Sequence, residues 1–90
     1  MSAWKIEFSD AALRDLRKLD KQTHKRTMKF LEHRVAEHPD PKQLAKKLQG
    51  KNNKNLWRYR VGDYRIIVRF KDNLLVVMVL EIDHRKHIYR

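Results

Sequence analysis

The stretch Leu56-Trp57-Arg58-Tyr59-Arg60-Val61-Gly62-Asp63-Tyr64-Arg65-Ile66-Ile67-Val68-Arg69-Phe70 decides the fold. At its middle, Gly62-Asp63 reads as a two-residue turn with glycine in the position that needs positive φ. Folding the chain about that turn pairs Val61 with Tyr64, Arg60 with Arg65, Tyr59 with Ile66 and Arg58 with Ile67. Side chains alternate along strands, so Trp57, Tyr59, Val61, Tyr64, Ile66, Val68 and Phe70 share one face. Arg58, Arg60, Arg65 and Arg69 share the other, with Ile67 among them. The first face belongs in a core and the second at a surface. The same alternation assigns Trp57 and Tyr59 to packing rather than to base stacking.

Downstream, Lys71-Asp72-Asn73 turns the chain into Leu74-Leu75-Val76-Val77-Met78-Val79-Leu80-Glu81-Ile82. That apolar run predicts a strand buried on both faces and central in its sheet. Upstream, residues 3–8 alternate, with Trp4, Ile6 and Phe8 against Lys5 and Glu7, which predicts a half-buried strand. Ser9 then offers an N-cap, Asp10 suits a first helical turn, and Leu13, Leu16 and Leu19 follow. A second helix is predicted from Lys21 to Glu37 on a stripe of Met28, Leu31 and Val35, widened by Thr27 and Phe30. Pro39-Asp40-Pro41 stops it. The two helices, joined near Asp20, make a helical hairpin. Residues 42–55 read as basic and irregular, with one docked turn at Leu44 and Leu48 and a loop from Gly50 to Asn55.

The order is strand, helix, helix, strand, strand, strand, then a short basic C-terminal tail. It predicts an α+β fold: a twisted antiparallel meander with the helical hairpin packed on one face. Ninety residues allow one domain, taken as 1–90. The chain has no cysteine, which removes disulfides and thiolate metal sites and suits a reducing cytoplasm. No run is apolar enough for a membrane span, and Met-Ser-Ala-Trp-Lys lacks the apolar centre of a signal peptide, so a cytoplasmic protein without membrane contact is expected.

Charge narrows the function. Lys and Arg total 22 against 11 Asp and Glu, a net +11. Residues 42–71 hold ten of those basic side chains and one acid, Asp63, so the charge is concentrated. Such a segment is fitted to a polyanion. All four cations on the outer face of the hairpin are arginines, whose guanidinium forks bidentately onto phosphate oxygens. Arg60 and Arg65 face each other, a pairing that destabilises a hairpin unless an anion lies over it. Lys51 and Lys54 of the loop join Arg58, Arg60 and Arg69 as phosphate-binding candidates. The tail, Asp83-His84-Arg85-Lys86-His87-Ile88-Tyr89-Arg90, is delivered beside this face by the last strand. If extended, it points Arg85, His87 and Tyr89 one way; if coiled, Arg85 and Tyr89 still share a face.

With these pieces in order, the chain resembles the RelE/ParE toxin superfamily, and its RelE-type members in particular, over nearly its whole length. The matching pieces are Phe8-Ser9-Asp10-Ala11-Ala12-Leu13, Lys47-Leu48-Gln49-Gly50, the hairpin Trp57 to Arg65, and His84-Arg85-Lys86-His87-Ile88-Tyr89. The resemblance implies the toxin of a type II toxin–antitoxin system, a ribosome-dependent mRNA endonuclease. It would cut mRNA in the ribosomal A site by attack of the RNA 2′-hydroxyl on the adjacent phosphate, without metal or cofactor. It assigns Arg65 to the scissile phosphate, Arg85 to phosphate or leaving-group stabilisation, and Tyr89 to nucleotide orientation and proton transfer. It also implies a cognate antitoxin, the ribosome with its mRNA, and operator DNA reached only through the antitoxin complex.

Arg58 and Arg60 stand where some members of the family carry lysines. Arginine stays protonated, so neither is a general base near neutral pH. Proton removal then falls to His87, His84, Tyr89 or a ribosomal group, with His87 best directed in an extended tail. His84 and His87, three apart, make a poor metal site without cysteine. There is no glycine-rich phosphate loop, the only glycines being Gly50 and Gly62. Two other functions share these features: a ParE-type inhibitor of DNA gyrase on the same fold, and a non-catalytic RNA- or ribosome-binding module.

Overall fold

Hydrophobic alternation in the hairpin is realised pair by pair in the computed structural model, which describes residues 3–50 and 54–84. In chain order the elements are β1 (Lys5–Phe8), α1 (Asp10–Lys18), α2 (Lys21–Lys29), β2 (Lys46–Lys47), β3 (Trp57–Val61), β4 (Tyr64–Lys71) and β5 (Val76–His84). A π-helical turn over Phe30–Val35 prolongs α2, and 3-10 turns occupy Pro41–Leu44 and Asp72–Leu74. All four predicted pairs form between β3 and β4, including Arg60 opposite Arg65. Gly62 has φ 60°, as a primed turn with glycine first demands.

Among the described residues the sheet runs β1-β5-β4-β3-β2, with α1 and α2 packed against one face. The class and layering are those expected, and two details differ. β1 lies parallel to β5, from Lys5 opposite Val76 to Phe8 opposite Val79, so the sheet is mixed rather than purely antiparallel. The third strand of the meander runs in the direction of β1, and the slot beside β5 is where β1 can pair. In addition, Lys46 and Lys47 pair with Arg58 and Trp57, extending the sheet where an irregular segment was expected. Two residues are too short a run to show alternation in a sequence.

Phe70 organises the core. Its ring meets Trp4, Trp57 and Tyr59 edge-on at centroid distances of 6.0, 5.5 and 6.4 Å, the geometry that aromatic quadrupoles favour. Lys42 Nζ lies 5.7 Å from the Phe70 ring centre and 2.8 Å from Asp72, which docks the segment after Pro41 onto the sheet. Tyr59 is buried and donates a 2.7 Å hydrogen bond to the Pro41 carbonyl. Burial, reinforced by the Asp40 carboxylate, pushes the Tyr59 phenol well above its ordinary pKa, so it remains a donor.

Helix α1 starts as expected, with Ser9 Oγ accepting from Ala12 N–H at 3.1 Å. Its inward positions are Ala12 and Leu16, whereas Leu13 is exposed. The three-residue spacing of leucines led off the helix's core side, because 3.6 residues per turn bring Ala12, Leu16 and Leu19 together instead. Asp20 caps α2, and side-chain and backbone hydrogen bonds from Thr23 hold its carboxyl below the usual range. In α2 and its extension, Thr27, Leu31 and Val35 are fully buried, while Met28 is only half-buried. A four-residue spacing drifts around an α-helix; the wider π turn, with Ala36 N–H bonded to the Leu31 carbonyl at 2.9 Å, keeps Leu31 and Val35 facing inward.

The apolar run begins later than predicted. Leu74 and Leu75 are exposed, and Leu75 adopts left-handed φ 52° in the turn before β5. β5 lies inside the sheet, between β1 and β4, as a central strand should, but Met78 and Leu80 on the face away from the helices are partly exposed. Its register against β4 passes from Val68 opposite Val79 to Ile67 opposite Glu81, which leaves Leu80 unpaired as a β-bulge. Helix α1 secures this point. Ser9 Oγ donates to the Leu80 carbonyl at 3.0 Å, and Asp15 Oδ2 accepts from Ile82 N–H at 2.9 Å, past the end of β1.

Two variants test this packing. Thr27 Oγ1 is buried without a hydrogen-bond partner, so Thr27→Val is expected to match wild type or exceed it by about 1 kcal/mol in urea unfolding. Asp15→Ala should release the Ile82 amide, costing about 1.5–3 kcal/mol locally and speeding its hydrogen exchange roughly 10- to 100-fold. Asp15→Asn, which keeps an oxygen acceptor, should retain most of the protection.

Candidate functional site

The sheet face away from the helices carries its cations in rows that the register defines. Arg60 lies opposite Arg65, and Arg65 opposite Asp83. In the next row Lys46 faces Arg58, Arg58 faces Ile67, and Ile67 faces Glu81. Beyond the bulge Arg69 faces Met78, which faces Glu7 of β1. Successive rows stand about 6.7 Å apart, two residues along a strand. The β2–β3–β4 half of this face is therefore basic, and β5 and β1 bring carboxylates to its other half.

Burial distinguishes the arginines. Arg65 is 8% exposed, whereas Arg60 and Arg69 are exposed and Arg58 is half-buried. A guanidinium so enclosed interacts more strongly with an anion than one in open water. Asp83 beside it offsets part of the repulsion from Arg60. The sequence segment itself suggested no interleaved carboxylate, and the bulge accounts for the difference. Strict alternation from Val77 and Val79 would send Glu81 and Asp83 to the helix side, whereas the unpaired Leu80 puts Ile82 there and both carboxylates among the arginines.

Of the predicted phosphate ligands, Arg58, Arg60 and Arg69 stand together with Arg65 on this face, and Lys54 is exposed in the loop before β3. Lys51, Arg85, His87 and Tyr89 lie outside the described residues. His84, the last described residue of β5, pairs with Tyr64 and therefore sits on the helix side of the sheet. Its ring meets Tyr64 edge-on at 5.1 Å, in a cleft with Asp15, Glu81 and Asp83 along its walls. That location turns it away from the arginine rows and weakens its candidacy as proton acceptor. Lys46 escaped the sequence reading because β2 is so short. Lys42, equally basic in sequence, is engaged with Asp72 and Phe70. Among the described residues no group of three or more His, Asp or Glu side chains stands close enough to hold a metal ion.

Comparison with known proteins gives a consistent picture. The profile of the family described as the ParE toxin of type II toxin–antitoxin system, parDE, matches residues 6–89. No curated relative was matched by sequence. Among solved structures, the chain is similar to one in the toxin–antitoxin complex RelBE2 from Mycobacterium tuberculosis, at 27% identity and a TM-score of 0.83, covering 94% of each chain. The RelE–RelB complex from Pyrococcus horikoshii matches at 25% identity and a TM-score of 0.73, covering 94% of this chain and 97% of that one. The RelBE toxin–antitoxin complex of E. coli matches at 25% identity and 0.72, covering 91% and 96%.

Proposed function

The chain belongs to the RelE/ParE superfamily of type II toxin–antitoxin toxins, and from that premise we propose that it is a ribosome-dependent mRNA endonuclease. The observation that carries this reading is the concentration of Arg58, Arg60 and Arg65 on one sheet face, with Arg65 the most buried of them. In the proposed reaction the RNA 2′-oxygen attacks the adjacent phosphorus and the bond from phosphorus to the 5′-oxygen breaks. The products are a 2′,3′-cyclic phosphate and a 5′-hydroxyl. One proton leaves the 2′-hydroxyl and one reaches the departing 5′-oxygen. Negative charge grows on the non-bridging oxygens in between, where a fixed guanidinium is most effective.

Arg65 takes that position, and Arg58, Arg60, Arg69, Lys46, Lys51 and Lys54 hold the flanking phosphates. Arg85 and Tyr89 complete the site by resemblance to the family, as leaving-group stabiliser and nucleotide-orienting group. Arginines cannot accept the 2′-hydroxyl proton, and His84 faces the helix side. His87, Tyr89 or a ribosomal group is left for that role. The solved relatives are toxin–antitoxin complexes, so the reading includes a cognate antitoxin, through which operator DNA would be reached, and action on cytoplasmic ribosomes.

A second reading has its own support, since the family profile that matches is named for ParE. Poisoning of DNA gyrase would use the same basic face on a different polyanion.

Purified protein added to programmed ribosomes in EDTA should cut the mRNA within the A-site codon. Arg65→Ala should slow that cut by about 100- to 1,000-fold, the usual loss on removing one transition-state donor. Intact mRNA with folded wild-type protein would sink the proposal, and trapped, cleaved DNA in a gyrase assay would establish the alternative. Ribosome binding without product in any condition would leave a binding module.

A further inference from the structure

A groove outside the arginine rows lies between the hairpin tip and the π-helical turn. It is rimmed by Arg26, Lys29, His33, Arg34 and Arg60, and every one of these side chains is exposed. Its floor is half-buried Phe30, buried Val61 and the backbone of Gly62. Among the described residues no carboxylate lines it. The nearest acids on the same helix are Glu32, on the Met28 side, and Glu37, which reaches His33 at 3.6 Å. Arg26 lies closely over the turn: a Cβ added at Gly62 would come within 3.0 Å of its guanidinium.

Arg60 belongs to both surfaces. It ends the row with Arg65 and Asp83, and it forms one wall of the groove. β2 pairs with β3 only at Trp57 and Arg58, so among the described residues no strand pairs with the edge of β3 at Arg60. The α2 side and the tip of β3 present cations, whereas Asp15, Glu81 and Asp83 line the cleft by α1 and the end of β5 together with Lys18.

We propose that this groove is a second RNA anchor, in which backbone leaving the arginine rows at Arg60 continues round the edge of β3. Lys29, Arg34 and Arg26 then contact its phosphates. The apolar floor is too small for an amphipathic peptide helix, which needs several anchors spaced along its length. A line of cations continuous with a phosphate-binding face suits a polyanionic strand. The inference rests on the reading that the target is RNA.

The test uses the full-length protein and a fluorescein-labelled single-stranded RNA of 20 nucleotides, with affinity measured from 50 to 200 mM salt. Replacing Lys29 and Arg34 together by alanine should lower the slope of log affinity against log salt by about 1.4, two single-strand contacts' worth. The same charge removed on the α1 side, by Arg17→Ala with Lys18→Ala, should leave the slope near the wild-type value. Equal effects from both pairs would reduce the groove to bulk charge, and no effect from the first pair would overturn the anchor outright. So would unchanged RNA binding alongside lost binding of a glutamate- and leucine-rich helical peptide. Ribosomal cleavage is read separately: a wild type that binds RNA through the groove but cuts nothing refutes the endonuclease and leaves the anchor standing.

Discussion

One unpaired residue, Leu80, determines which way the last part of β5 faces. Before the bulge, Val77 and Val79 fill the core; after it, Ile82 does. The extra residue reverses the alternation, which keeps an apolar side chain inward and turns Glu81 and Asp83 outward. Without it, two carboxylates would be driven under the helices, where burial of unpaired charge is costly. A bulge leaves backbone groups without ladder partners, and α1 supplies partners at two points. Ser9 takes the Leu80 carbonyl while capping its own helix, and Asp15 takes the Ile82 amide. The helix thus continues the work of β1 where β1 ends.

That arrangement explains how so basic a face can exist on so small a domain. Arg60 and Arg65 face each other across the hairpin, a repulsive pair by itself. Asp83, on the next strand, stands in the same row as both. The core beneath is held by contacts independent of charge. Phe70 gathers three aromatic rings, and Tyr59 ties the sheet to the Pro41 turn. The π turn serves the same end on the helical side by keeping Leu31 and Val35 pointed at the sheet.

The surface charge is sorted as well as abundant. Asp15, Glu81 and Asp83 line one cleft together with Lys18, and Arg26, Lys29, Arg34 and Arg60 line the groove at the hairpin tip, while Arg65 and Arg69 stand on the sheet face that Glu81 and Asp83 share. A long anionic ligand would be oriented by that field before any specific contact formed. Within the field Arg65 differs from Arg58, Arg60 and Arg69 by its burial.

Much of this was legible from residue order. The Gly62 turn set the hairpin register and therefore the identity of both faces, because alternation in a strand is strict and local. Ser9 marked a helix start because a cap needs only a side chain and the next turn of backbone. The concentration of charge in residues 42–71 needed only counting. Other features depended on partners far away in the chain. The parallel place of β1, the two-residue β2 and the π turn come from what each segment packs against. The bulge at Leu80 does too, since Ser9 and Asp15 hold it from some 70 residues upstream. The arginine face was therefore determined by the sequence itself. The carboxylates beside it, with Asp83 opposite Arg65, were decided only when β5 found its slot between β1 and β4, because register across strands is a property of the assembled sheet.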